Sequence, residues 1–295
     1  MSQTLLTTCP ICRSDKLSEK ETIVDHSISH ESFQLYQCGA CKFLFTNPQP
    51  DKESLWKYYE SEDYVSHSRT TKGFINFWYR RVQQLNLHLK YKAVFPNAPR
   101  GTWLDYGAGA GDFVKYIENK GLAIEGLEPS QTARDNALSN SVKLHDTSYV
   151  HEVINESIAC ITLWHVLEHI PNFMEVIQDL SKLIIPRGIL VLALPNYQSL
   201  DAKIYKTRWA GYDVPRHLWH FTKTDIENLA ESFDLELINT KGMIFDSTYV
   251  SLLSEKYQNG NRLSGILNGM KSNVSAMRKS TPYSSQIYIL RKKGV

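Results

Sequence analysis

Three groups of residues in this chain could carry chemistry. The first is Cys9-Pro-Ile-Cys12 with Cys38-Gly-Ala-Cys41, two Cys-x2-Cys pairs separated by 25 residues. Each pair offers two thiolates on one tight turn, the spacing that lets both reach a single tetrahedral Zn²⁺. Cys9, Cys12, Cys38 and Cys41 are therefore read as a structural zinc site, with four protein ligands and no position left for water or substrate. Cys160 stands alone and reads as a small buried strand residue. The second group is the glycine-rich run Gly107, Gly109 and Gly111, with Asp105 before it and Glu128 after it. The third is rich in histidine: His165, Glu168 and His169 in one short stretch, then Arg216, His217 and His220 in another.

The elements around these residues say what they are positioned to do. An apolar strand at 103–106 runs into the three glycines and then into Phe113, Val114 and Ile117, spaced for a helix. Glycine is needed where the backbone must turn sharply and approach a ligand closely. A second apolar strand, 122–127, ends in Glu128, where a carboxylate can accept hydrogen bonds from both ribose hydroxyls of a nucleoside. Strands and helices then alternate, with strands near 142–144, at 158–164 and at 188–194, and helices at 171–183 and 223–233. That order predicts a parallel sheet covered by helices, and segments 235–239 and 286–290 could close it as an antiparallel pair. Residues 246–282, rich in Ser, Asn and Lys, read as an insertion.

Asp105, Gly107, Gly109, Gly111 and Glu128 form an Asp-x-Gly-x-Gly-x-Gly turn with a distal acid, not the Gly-x-Gly-x-x-Gly of nicotinamide dinucleotide proteins. Here the chain resembles the class I S-adenosylmethionine-dependent methyltransferases. The resemblance implies a Rossmann-like, seven-stranded α/β sheet, preceded here by a small zinc ribbon and a helical connector. It implies that Asp105 faces the methionine amino group, that Pro129 packs the adenine side, and that Asp146 bonds the adenine amino group. Tyr106 and Trp164 complete the cofactor-binding set that it suggests. Asp146 reads equally well as a cap on the following helix. The domains expected are a ribbon at 1–50, a connector and cofactor lid at 51–100, and a cofactor-binding domain at 101–295 with a lid insertion at 196–222. Tyr58, Tyr59 and Tyr64 read either as connector packing or as a cover over the cofactor.

His165, Glu168 and His169 would share one face of a helical turn. The segment resembles the Glu-His-Ile/Val stretch of ubiquinone-type O-methyltransferases, some of which carry Glu-x2-Glu-His and bind a metal. With His165 in the first place, it reads either as a divalent-metal site or as a pocket shaped by His169 with Glu168 fixing its tautomer. His217-Leu-Trp-His220-Phe221 followed by a capped helix matches the His-x3-Phe pattern of small-molecule methyltransferases. A hydroxyl acceptor needs a base and neutral histidine suits that role, so His217 is the first candidate, with His169 and His220 in reserve.

The remaining bounds are broad. A chain of 295 residues with net charge +2 and 42% hydrophobic residues is ordinary for a soluble protein and lacks the basic stripe that RNA binding needs. Without an apolar signal-like run at 1–10 or a membrane-length stretch, it reads as cytoplasmic. The acceptor expected is a small molecule, a hydroxyl of a sugar, lipid-linked or secondary-metabolite intermediate. The alternatives are an RNA or protein methyltransferase that reads its substrate through the ribbon, and a cofactor-binding module without catalysis.

Overall fold

The computed structural model describes residues 3–59 and 74–294, with the side chains of 52, 53 and 74–80 outside the description. Tyr64, read above either as connector packing or as a cover over the cofactor, lies outside the described residues. In chain order the strands are β1 (Gln3–Thr4), β2 (Leu17–Val24), β3 (Ser32–Cys38), β4 (Leu44–Thr46) and β5 (Gln49–Pro50). They continue as β6 (Thr102–Tyr106), β7 (Ile124–Leu127), β8 (Ile158–Trp164), β9 (Ile184–Pro195), β10 (Trp219–His220), β11 (Leu235–Gly242) and β12 (Ser285–Lys292).

The central sheet has six strands in the order β11-β12-β9-β8-β6-β7. β6, β7, β8 and β9 pair in parallel, and β12 runs antiparallel to both β9 and β11. β8, apart from Thr162, and the second half of β9 are apolar runs because both faces of the sheet are covered. The seventh strand expected near 142–144 is reduced to one bridge, Leu127 to His145. Ser141 sits in the left-handed region at φ 62°, and Asp146 already caps the next turn, so too little extended backbone lies between them for a ladder. The helix expected from 171 begins at Phe173 and buries Phe173, Ile177, Leu180 and Leu183 against the sheet. The helix Lys223–Ser232 opens on a reciprocal capping box between Thr222 and Asp225.

The N-terminal strands form a second sheet, and the lid supplies its edge: the order is β10-β4-β3-β2. Trp219 pairs with Phe45 and His220 with Leu44. Phe43, Phe45, Phe173, Trp219 and Phe221 pack there with ring centroids 4.9–6.3 Å apart. Cys9 and Cys38 belong to the same hydrophobic core as Leu104 and Leu127 of the central sheet. The segment 246–282 folds as two helices, Asp246–Tyr257 and Arg262–Met277, which pack on each other.

Candidate active site

The glycine turn follows β6, at the carboxyl edge of the sheet where open α/β folds bind ligands. All three glycines have positive φ: 78° at Gly107, 57° at Gly109 and 78° at Gly111. A Cβ on Gly107 would lie 2.5 Å from Val166, and one on Gly111 would lie 2.7 Å from Val142, so these two are small because the protein closes on them. Among the described residues, a Cβ on Gly109 would meet nothing within 4 Å. The turn is therefore packed at its ends and open in the middle, as a cradle for a ligand must be.

Acids frame the cradle. Asp105 is buried and accepts a hydrogen bond from Thr162 Oγ1 at 2.6 Å. Burial pushes its carboxyl pKa up to about 7, against the Thr162 hydrogen bond and the charge of Lys90. A buried carboxylate so poorly compensated gains by meeting a cation, which fits the ammonium of a methionine moiety. Glu128 Oε2 accepts from the Gly109 amide at 2.9 Å and Oε1 from the Ser130 amide at 3.0 Å. Each oxygen keeps a lone pair for a hydroxyl donor. Arg134 ties the Pro129 carbonyl to Asp146 Oδ2, both at 2.9 Å. Asp146 also accepts from the Ser148 amide at 3.0 Å, so its carboxylate holds the turn together as a cap. Tyr106 is buried at the end of β6. Trp164 packs edge-on against Phe113, and Lys90 Nζ lies 4.5 Å from its ring centre.

A second cluster lies beyond β8. His165, in the left-handed region at φ 57°, bridges two acids: Nδ1 is 3.3 Å from Glu168 Oε1 and Nε2 is 3.0 Å from Asp246 Oδ2. Burial alone would lower the His165 pKa, but the two carboxylates raise it to about 9. Because the folded value lies above the ordinary ~6.5, the stabilisation is complete below pH ~6.5 and is lost as pH rises through about 9. His165→Asn tolerates the left-handed backbone but cannot carry the charge. Its denaturation midpoint should fall below the wild type's at pH ~6 and approach it near pH ~10; a gap independent of pH would contradict this pairing.

Glu168 is fully buried, and neither oxygen has a hydrogen-bond partner of good geometry. Around it stand His169 and His217, and one donor atom from each of the three lies within 4.8 Å of the others. His169 Nδ1 is 3.0 Å from the Arg216 carbonyl and His217 Nδ1 is 3.0 Å from the Gly211 carbonyl. A carbonyl cannot donate, so both rings carry a proton on Nδ1, and Nε2 is the nitrogen left to accept. Burial pushes the His169 pKa down to about 4, with the neighbouring His217 acting in the same direction, so that ring is neutral at pH 7. Tyr59 Oη, 3.0 Å from His169 Nδ1, brings the connector to this cluster, whereas Tyr58 packs on Phe33. His220 faces the ribbon: Nε2 is 3.4 Å from Thr46 Oγ1, and burial pushes its pKa down to about 3.

The lid that carries His217 is held by the ribbon. Thr46 donates from Oγ1 to the His217 carbonyl and from its amide to the Leu218 carbonyl, both at 2.9 Å. Buried Arg216 donates to Asp213 at 2.6 Å and to the Tyr58 carbonyl at 2.9 Å, and meets Asp25 of the ribbon at 3.3 Å. The four cysteine sulfurs also converge, with Cys9–Cys41 at 3.6 Å and Cys12–Cys38 at 3.5 Å. Sulfurs on one tetrahedral zinc stand about 3.8 Å apart, given a Zn–S bond of about 2.3 Å, so the set fits that ion. The spacing reading missed Lys90 and Asp246, which meet the site only through tertiary structure, and gave no role to Arg216 or to Asp213, its ion-pair partner three residues earlier. It grouped His165 with Glu168 and His169, and the fold adds His217 on their other side.

An open glycine cradle, a buried acid before it and a carboxylate on the next strand, all on this sheet, define a class I S-adenosylmethionine-dependent methyltransferase. The sequence pattern of the methyltransferase domain family matches residues 78–240. That is more than half of the chain, and the chain belongs to this family. It is similar to the ubiquinone biosynthesis O-methyltransferase of Haemophilus ducreyi, with 27% identity over 180 residues, 55% of this chain and 74% of that one. The enzyme of the same name from Rickettsia bellii is 24% identical over 209 residues, 63% of this chain and 84% of the other. Among solved structures, phosphoethanolamine N-methyltransferase 2 of Haemonchus contortus, in complex with S-adenosyl-L-methionine, superposes with a TM-score of 0.52 at 16% identity, over 85% of this chain and 63% of that one. A SAM-dependent methyltransferase from Thermotoga maritima gives 0.51 at 16% identity, over 75% of this chain and 97% of the other. At such identities the likeness is one of fold. The matched family segment begins at residue 78, so the ribbon lies outside it.

Proposed function

We propose that this enzyme methylates a hydroxyl of a small molecule, of the sugar, lipid-linked or secondary-metabolite kind, with His217 as general base. The observation that carries the reading is the pair of rings, His169 and His217, each held through Nδ1 by a backbone carbonyl beside a buried acid. S-adenosylmethionine supplies a methyl carbon already activated by its sulfonium sulfur. The chain has to hold the acceptor in line and take one proton. Asp105 and Glu128 hold the two ends of the cofactor, and the lid and connector close over the acceptor. His217 Nε2 accepts the hydroxyl proton, and Asp213, 3.9 Å from that nitrogen, and Glu168 stabilise the cation that forms. His169 orients the acceptor oxygen, while His220 packs the lid onto the ribbon. The names of the two curated relatives support an oxygen acceptor, and a net charge of +2 offers nothing for RNA phosphates. Zinc held by Cys9, Cys12, Cys38 and Cys41 would stiffen the ribbon against which the lid is built.

A second reading is favoured by the buried Glu168 oxygens, neither of which has a hydrogen bond of good geometry. Glu168, His169 and His217 would hold a divalent cation through three protein ligands with positions left open for the acceptor oxygen. Chelation would then abolish turnover without changing cofactor affinity, and added Mg²⁺ or Zn²⁺ would restore it.

The acceptor class is tested by incubating the enzyme with methyl-labelled S-adenosylmethionine and a fractionated cell extract. Label should enter the low-molecular-weight fraction. Label confined to protein or RNA would overturn the reading, as would cofactor binding with no transfer to any fraction.

A further inference from the structure

The helix Arg262–Met277 is inside out. It buries Gly265, Gly269, Ser272 and Ala276 and leaves Leu263, Ile266, Leu267, Met270, Val274 and Met277 between 41% and 66% exposed. The small residues are needed where they are. A Cβ on Gly269 would lie 2.5 Å from Thr248 Cα and one on Gly265 3.0 Å from Leu252 Cα, so the two helices meet backbone to backbone. At about 100° per residue the six large apolar side chains fall within an arc of about 100°. Arg262 flanks that stripe on one side, Lys271 and Arg278 on the other, and all three are exposed. The sequence contains no Asp or Glu after Glu255. Asn273 Nδ2 donates to the Ile244 carbonyl at 2.7 Å, which sets Ile244, itself 44% exposed, beside the stripe. A cavity of about 240 Å³ adjoins it, lined by Leu89, Lys90, Lys92, Lys241, Ile244 and Phe245.

We propose that this face seats the enzyme on an anionic lipid bilayer, with the helix lying in the plane of the interface. An apolar stripe bordered on both sides by cations is the pattern that embeds in the acyl boundary while its flanks meet lipid phosphates. A second copy of the chain fits less well. A two-fold contact would bring the same basic flanks together with no acid on this helix to pair them. The docking is peripheral, because no helix among the described residues is long and apolar enough to cross a membrane. The proposal stands apart from the acceptor assignment, since no residue of the helix Arg262–Met277 belongs to the cofactor cradle or the histidine cluster.

The test is co-flotation of the full chain with vesicles of phosphatidylcholine alone or with about one quarter phosphatidylglycerol. Binding should appear with the anionic vesicles, weaken by at least about tenfold in phosphatidylcholine alone, and fall at high salt. The double variant Leu267→Glu/Met270→Glu should lose it while keeping the wild-type melting temperature and S-adenosylmethionine affinity. Lys271→Glu/Arg278→Glu should weaken it by at least about tenfold. The proposal is overturned if the wild type does not float, or if Leu267→Glu/Met270→Glu floats as well as wild type. It is equally overturned if light scattering shows a dimer which that variant splits, with no affinity for vesicles.

Discussion

Gly109→Val should reduce S-adenosylmethionine affinity by at least about 100-fold while the protein stays folded. The cause is local and twofold. Gly109 holds φ 57°, a conformation that costs a β-branched residue about 1–3 kcal/mol. Its side chain would also project into a part of the turn where no atom of the described residues lies within 4 Å of a built Cβ, room that a ligand can use. Gly109→Ala should cost less, because a single methyl fills less of that space. Gly107→Ala should behave differently, since its Cβ would press on Val166 at 2.5 Å and lower the melting temperature. Titration calorimetry on the three variants separates the two effects. An unchanged Kd for Gly109→Val would show that the cradle is elsewhere.

The second large effect is expected at His217. His217→Ala should cut turnover by about 10²–10⁴, the usual worth of a general base, with cofactor affinity unchanged. Its neighbours should grade around it. His169→Ala removes a neutral ring from the Glu168–His217 cluster and should cost less. His220→Ala should chiefly lower stability, because that ring is buried against Thr46 and Tyr212. Steady-state kinetics with an acceptor taken from the active extract fraction reads all three. Equal losses at His217 and His220 would remove the distinction between base and packing residue.

The parts of this molecule that were legible in the sequence are those written in adjacent residues. The glycine turn, the acid ending β7 and the paired cysteines each use short, fixed spacings, so local pattern suffices to find them. The alternation of strand and helix from residue 102 onward is legible for the same reason. What joins these parts is not local. Glu168 meets His217, whose place in the site depends on the lid folding back on the ribbon. The register Trp219–Phe45 and His220–Leu44 is set by aromatic packing that no spacing announces. Lys90 reads as one more solvated lysine on a helix, until its half-buried ammonium over the Trp164 ring and its charge near Asp105 give it a role. The apolar residues near 142–144 read as a strand, and the turns on either side of them decide otherwise.

That ribbon, lid and cofactor cradle form one working site is the central claim, and Cys12→Ser tests it most directly. The account predicts that wild-type protein carries about one zinc per chain and that the variant loses it. With the metal goes the stiffness of the β3–β4 sheet on which β10 and the His217 backbone hang. Turnover should therefore fall by at least about 100-fold, while S-adenosylmethionine affinity, set at Asp105, Gly109 and Glu128, changes by less than about threefold. A zinc-free variant that turns over at the wild-type rate would contradict the account.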